Sequence, residues 1–170
     1  MLVFGTADDV FAMAVRIEEN GSAFYSGAAQ KTQEPRVKKL FEDLAVMEQA
    51  HVNFFRALRS TQPPQLLQPP VWDPEGLAES YLQATADTHI FTVEAASSRL
   101  KQVASPIQAL DMALQFERDS VAFFVGMKEL IQAPDGKDEI DKLILAEMEH
   151  IRMISGAKGQ FARAGKADIE

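Results

Sequence analysis

One pattern of residues occurs twice in this chain of 170 residues, and the two copies are separated by a constant 99 positions. Each copy contains a glutamate, an aromatic residue seven positions later, and a Glu-x-x-His motif further on. The members are Glu18, Tyr25, Glu48 and His51 in the first copy, and Glu117, Phe124, Glu147 and His150 in the second. Such a constant separation between two segments, joined by a connecting segment that does not share the pattern, indicates a duplicated pair of helices.

The residues around each glutamate show helical periodicity. Apolar or small residues recur at alternating three- and four-residue spacing, which predicts amphipathic helices. Glu18 lies on the apolar stripe of the first helix, whereas its neighbour Glu19 points away from it. On the second helix, the three-residue spacing of Glu48 and His51 places both side chains on one face. The second copy repeats this arrangement on a third and a fourth helix.

The connections between these helices differ in length. Pro35 and Ser105-Pro106 are typical helix starts, and Pro134-Asp135-Gly136 predicts a turn before the fourth helix. Residues 61–104, which begin with a proline-rich stretch, form a long crossover between the second and third helices. We therefore predict a single all-α domain over 1–170. It is a four-helix bundle of two helix pairs, about 7–60 and 105–160, in which the second and third helices run parallel.

The four glutamates on the apolar stripes would meet near the bundle axis, with no lysine or arginine on those stripes. Burying one unpaired carboxylate costs several kcal/mol, and a domain is stable by only about 5–15 kcal/mol. Two divalent cations would remove this cost, because they balance four carboxylates while both imidazoles stay neutral. Four Glu and two His facing one another in a bundle are the ligand set of a two-metal carboxylate site.

The expected ligands have distinct roles. Glu48 and Glu147, each paired with a histidine, are placed to bridge the two ions. In addition to the bridging carboxylates, each ion takes one terminal glutamate, Glu18 or Glu117. Each ion also takes one histidine, His51 or His150. Oxygen and imidazole donors suit iron or manganese, with zinc possible. The third histidine, His89, has no repeat partner and is interpreted as an ordinary surface or core residue.

Two further positions on the stripes have two interpretations each. Tyr25 either packs in the core, as its counterpart Phe124 does, or acts on the site by hydrogen-bonding a ligand carboxylate or donating a proton. Gly21 and Ser120 follow Glu18 and Glu117 by about one helical turn. These small residues either leave room for a ligand such as O₂ or peroxide, or they let the helices approach closely. The close approach is the favoured interpretation for these two small residues.

Composition excludes several classes of function. The net charge of −8 argues against a nucleic-acid partner, because phosphate backbones require clustered Lys and Arg. The absence of cysteine excludes disulfides, iron–sulfur clusters and a rubredoxin-type iron site within this chain. No apolar run approaches the ~18 residues of a membrane span, and the first residues do not resemble a signal peptide. We expect no membrane partner and a cytoplasmic location.

Both copies resemble the rubrerythrin-like branch of the ferritin-like superfamily, in Ala14-x-x-x-Glu18-x-x-Gly21-x-x-Phe24-Tyr25 and in Ala113-x-x-x-Glu117-x-x-Ser120-x-x-Phe123-Phe124, each followed by Glu-x-x-His. The resemblance implies a ferritin-like fold, a di-iron centre on the six residues, and a homodimer. It also implies peroxide reduction or iron oxidation. The chain differs from rubrerythrin in having no rubredoxin-type domain, and in Ser120 where rubrerythrin has an additional glutamate.

Three functions are compatible with these features. The first is a redox enzyme that reacts Fe(II) with H₂O₂ or O₂ and needs an external electron donor, which the sequence does not identify. The second is a non-catalytic protein that binds, buffers or delivers iron. The third is a structural bundle held together by zinc or manganese.

Overall fold

The computed structural model describes residues 7–60, 105–131 and 134–167, together with the isolated positions Gly76, Ser80, Ala84 and Val103. Within the three continuous ranges the chain forms four helices, α1 (Ala7–Lys31), α2 (Pro35–Ser60), α3 (Pro106–Leu130) and α4 (Pro134–Ala167). No strand occurs in them. The predicted all-α class with four core helices is confirmed. Apart from those four positions, the predicted crossover 61–104, including His89, lies outside the described residues.

The starts of α2 and α3 follow from local chemistry. At α2, Glu34 directly precedes Pro35, and its carboxylate accepts a hydrogen bond from the Val37 backbone N–H at 2.6 Å. At α3, Ser105 is extended and its Oγ accepts from the Gln108 N–H at 3.3 Å. Each cap satisfies a backbone donor that has no partner inside the helix. The predicted starts at Pro35 and Ser105-Pro106 are therefore confirmed.

The predicted turn at Pro134-Asp135-Gly136 is wrong, because α4 begins at Pro134 and includes all three residues. Proline is well suited to the first helical position, since the N–H it lacks would be unpaired there anyway. Glycine is tolerated in a helix at a cost of about 0.5–1 kcal/mol relative to alanine. The turn residues of this connection thus serve as the first turn of a helix.

The four helices pack as two antiparallel hairpins. α1 packs along α2 and α3 along α4, while the hairpins meet through α1 against α3 and α2 against α4. Ion pairs tie the outer ends of each hairpin: Arg59 to Asp8 in the first and Lys158 to Asp111 in the second. In both pairs an early residue of one helix meets a late residue of the next, as an antiparallel hairpin requires.

Contacts between α1 and α3 establish how the hairpins are oriented. Ala28 and Ala109 line the same cavity, and Gly21 lies against Phe116. Residue numbers therefore rise along α3 as they fall along α1, so these two helices are antiparallel. Since α1 is also antiparallel to α2, helices α2 and α3 run parallel. This is the topology predicted from a long crossover.

The core lies along the bundle axis and is rich in aromatic side chains. Phe55 of α2 and Phe124 of α3 are fully buried, with ring centroids 5.3 Å apart. Fully buried Phe41, Leu44 and Leu110 belong to the same cluster. In the part of the chain that the structure describes, no helix meets the length and hydropathy that a bilayer crossing requires.

Replacing Phe55 with alanine should lower the free energy of unfolding by about 3–5 kcal/mol, because a buried ring is lost and its cavity cannot fully close. Leu145→Ala is the control, since Leu145 is 64% exposed and should change stability by no more than about 0.5 kcal/mol. Urea unfolding of chelator-treated protein, followed by circular dichroism, measures both. Equal effects of the two substitutions would contradict the packing described above.

Candidate metal centre

The structure brings the six predicted residues together inside the bundle. α1 contributes Glu18, α3 contributes Glu117, and the other two helices each contribute one Glu-x-x-His pair. All four glutamates and His150 are at most 2% exposed. The imidazole of His51 is 14% exposed, which places its end of the cluster nearer to solvent. The fold therefore buries four acids and two imidazoles at one level of the core.

The first half of the cluster is gathered around His51. Its Nδ1 lies 2.9 Å from Glu147 Oε1, 3.3 Å from Glu18 Oε2 and 3.5 Å from Glu48 Oε2. Ligand atoms of these four residues all lie within 4.8 Å of one another. That spacing allows one cation to contact every one of them.

The second half is gathered around His150 in the same manner. Its Nδ1 lies 3.3 Å from Glu48 Oε1, 3.3 Å from Glu147 Oε2 and 3.5 Å from Glu117 Oε1. Glu48 and Glu147 thus belong to both halves. Each of these two carboxylates turns one oxygen to His51 and the other to His150, which is the arrangement expected of bridging ligands.

Most polar side-chain atoms of the cluster lack hydrogen-bond partners. Nine buried side-chain N or O atoms in the described residues have none, and eight of them belong to these six residues. They include both oxygens of Glu48 and Glu147 and the Nδ1 of each histidine. Buried polar atoms are normally paired, so eight unpaired atoms in one place need another partner.

Divalent cations are suitable partners for these atoms. Among the described residues, the recorded ion pairs of the four carboxylates are with the two histidines, and none is with a lysine or arginine. Carboxylate oxygen and imidazole nitrogen are donors that suit iron, manganese or zinc. The residues present fit a pair of such ions. Their role as metal ligands stays a prediction.

Burial favours the protonated form of the two terminal carboxyl groups, Glu18 and Glu117. Burial raises the pKa of Glu18 well above its ordinary value, and the charges of Glu48 and Glu147 raise it further. Burial likewise raises the pKa of Glu117, more strongly than contact with His150 lowers it. A carboxylate surrounded by other carboxylates in a medium of low polarity is more stable when it is protonated.

The pKa shifts of the shared carboxylates and of the histidines favour their charged forms. Burial opposes charge on both imidazoles, but the surrounding carboxylates outweigh it and raise the pKa of His51 and of His150 to about 12. Burial also opposes charge on Glu48 and Glu147, yet contacts with neighbouring carboxyl groups and the histidines lower the pKa of both.

Tyr25 contacts the cluster directly. Its side chain is fully buried, and its hydroxyl donates a hydrogen bond to Glu117 Oε1. Burial raises the pKa of this phenol, and the nearby charge of Glu117 adds to the shift. Both interpretations of Tyr25 apply, because its ring is part of the core and its hydroxyl bonds a predicted ligand. The ring also packs edge-on against Phe24 and Phe116.

Two features of the site are not apparent from the sequence pattern. Tyr25 shares a stripe with Glu18, yet its partner is Glu117 on another helix. Phe116, the residue directly before Glu117, contacts Gly21 and the Tyr25 ring. The repeat gave a partial indication of these two residues, because the copies differ at both positions. Tyr25 corresponds to Phe124, and Phe116 corresponds to Ile17.

Comparisons with known proteins agree with this geometry. The chain has the fold of a Thermotoga maritima protein described as a ferritin-like di-iron carboxylate protein, with a TM-score of 0.71 and 22% sequence identity. That match covers 93% of this chain and 97% of the other. No curated protein sequence matches. The family model for the ferritin-like domain matches residues 6–160. With four helices in this topology and a match over nearly its whole length, the chain belongs to the ferritin-like domain family.

Proposed function

We propose that the chain is a di-iron protein of the rubrerythrin-like branch, in which iron or manganese reacts with H₂O₂ or O₂. The observation that carries the proposal is the pair of half-sites sharing Glu48 and Glu147. A single structural ion would need only one half. The Thermotoga protein with the same fold is described as a di-iron carboxylate protein, which supports iron as the metal.

Each group of the cluster has a proposed task. Glu18 and His51 would hold one ion, Glu117 and His150 the other, and the shared carboxylates both. Two Fe(II) ions bound here would supply the two electrons that, together with two protons, reduce one H₂O₂ to two water molecules. Repeated turnover requires an external electron donor.

The surrounding residues keep the centre dry and oriented. Fully buried aromatic residues, Tyr25, Phe41, Phe55 and Phe124, belong to the core around the cluster and exclude bulk water. Tyr25 keeps Glu117 in place through its hydrogen bond, and its hydroxyl is a proton source adjacent to a ligand. His51 lies nearest to solvent and marks the side from which a small oxidant would approach.

Rapid oxidation distinguishes an enzyme from a carrier. Protein loaded anaerobically with two Fe(II) per chain should oxidise quickly on stopped-flow mixing with H₂O₂ or O₂, and it should cycle when a reductant is added. Slow oxidation with exchangeable iron would instead support buffering or delivery. Tightly held zinc that responds to neither oxidant would support a structural role.

A matched pair of variants tests whether this oxidation depends on the cluster. Glu147→Gln removes a shared ligand and should lower iron affinity at least about 100-fold, the upper end of the range for outer-shell partners. Glu149→Gln changes an exposed glutamate on the same helix, paired with Arg152, and should bind and oxidise iron as the unmodified protein does. Equal behaviour of the two variants would contradict the assignment.

Removing the hydroxyl of Tyr25 should weaken metal binding selectively. In Tyr25→Phe the ring packing is preserved while the hydrogen bond to Glu117 is lost, so one of the two ions should bind about 10–100-fold less tightly. Anaerobic titration with Fe(II) or Mn²⁺ measures both constants. Unchanged constants would limit Tyr25 to core packing.

Metal binding should release protons. Near pH 7 a pKa of about 12 keeps both imidazoles protonated, and the raised pKa values of Glu18 and Glu117 favour their protonated forms as well. Ligation requires neutral imidazole and ionised carboxylate, so loading two ions should release at least about two protons, one from each histidine, and affinity should rise with pH. Calorimetric titration in buffers of different ionisation enthalpy counts them. Release of no protons would show that the metal-free cluster is already deprotonated.

A further inference from the structure

Gly21 lies in the interior of α1, where glycine is unfavourable. A helical glycine costs about 0.5–1 kcal/mol relative to alanine, because it loses more backbone freedom on folding. Its backbone does not require glycine, since among the described residues only Gly76 has a positive φ. The reason for a glycine at this position must therefore lie in what surrounds it.

The surroundings of Gly21 leave no room for a side chain. A Cβ built on Gly21 would lie 2.9 Å from Cε1 and 3.1 Å from Cζ of Phe116, and 3.2 Å from the carboxyl carbon of Glu48. A Cβ contact under 3.0 Å requires that something shift, and 3.0–3.4 Å is already tight. The α1 backbone at Gly21 is thus the surface against which the shared carboxylate of Glu48 rests.

The duplicated half shows that the fold itself does not demand glycine here. The equivalent of Gly21 is Ser120, which is buried at 3% exposure and carries a Cβ and a hydroxyl. The equivalent of Phe116 is the smaller Ile17. The repeat therefore pairs serine and isoleucine at the positions where Gly21 and Phe116 meet, so the equivalent buried position accepts a small side chain.

We propose that Gly21 is a positioning residue for the metal centre, because it sets the location of the Glu48 carboxylate. Glu48 Oε2 lies 3.5 Å from His51 Nδ1 and Glu48 Oε1 lies 3.3 Å from His150 Nδ1, so displacing this one carboxylate disturbs both halves. The inference rests on the proposed function, since it assumes that the cluster binds two ions.

The test compares Gly21→Ala with Gly156→Ala. Both place alanine in a helix, but a Cβ at Gly156 meets nothing within 4 Å. Mn²⁺ titration followed by electron paramagnetic resonance reports affinity and coupling between ions, and thermal melting of the metal-free proteins reports folding. We expect Gly21→Ala to bind its second Mn²⁺ about 10–100-fold less tightly and to lose the signal of the coupled pair. Gly156→Ala should retain both.

The double variant Gly21→Ala/Phe116→Ile separates the two contacts. It places a small residue and an isoleucine at these two positions, as Ser120 and Ile17 are at the equivalent ones. The clash between the new Cβ and the Phe116 ring is then removed, while its contact with Glu48 remains. Continued loss of the coupled pair supports the proposal, also if the single variant does not fold. Recovery of the pair would overturn it by assigning the effect to Phe116. Failure of both variants to fold would overturn it in favour of general packing.

Metal binding by the unmodified protein distinguishes a failure of this inference from a failure of the proposed function. If the unmodified protein binds no pair of coupled ions, the proposed function fails. If it binds the pair and Gly21→Ala binds it equally well, the role of Gly21 alone is refuted.

Discussion

The burial of four carboxylates at one place in a helical bundle is the condition on which the rest of the structure depends. Such a group is stable only if something balances its charge, because unpaired ions in a protein interior are costly. Among the described residues, the ion pairs of these carboxylates are with the imidazoles of His51 and His150 and not with lysine or arginine. The carboxylates in turn raise the pKa of both imidazoles to about 12, which favours their charged form.

Much of the architecture was predictable because it depends on periodicity. The positions of Glu18, Glu48 and their repeat equivalents on apolar stripes predict four helices and a shared site, since 3.6-residue periodicity determines which side chains face the core. The parallel orientation of α2 and α3 followed from the length of the crossover alone. The predicted turn at Pro134 failed because proline and glycine are also compatible with the first turn of a helix, and only the tertiary structure distinguishes the two outcomes.

Contacts between helices were less predictable than positions along them. A stripe shows that Tyr25 faces inward, but its height and rotation relative to α3 decide that it reaches Glu117 rather than Glu18. The contact of Gly21 with Phe116 depends on the same relative placement, which side-chain volumes on both helices determine together. Helix packing tolerates a range of crossing angles, so periodicity alone does not specify such pairs.

The two halves share their six polar residues but differ in the residues next to them. Tyr25 corresponds to Phe124, Gly21 to Ser120, and Phe116 to Ile17. Tyr25 donates a hydrogen bond to Glu117, which Phe124 has no hydroxyl to match, and the Phe116 ring lies against the bare backbone at Gly21, whereas Ser120 carries a side chain. The two ends of the cluster are therefore chemically unlike, although their polar residues are the same.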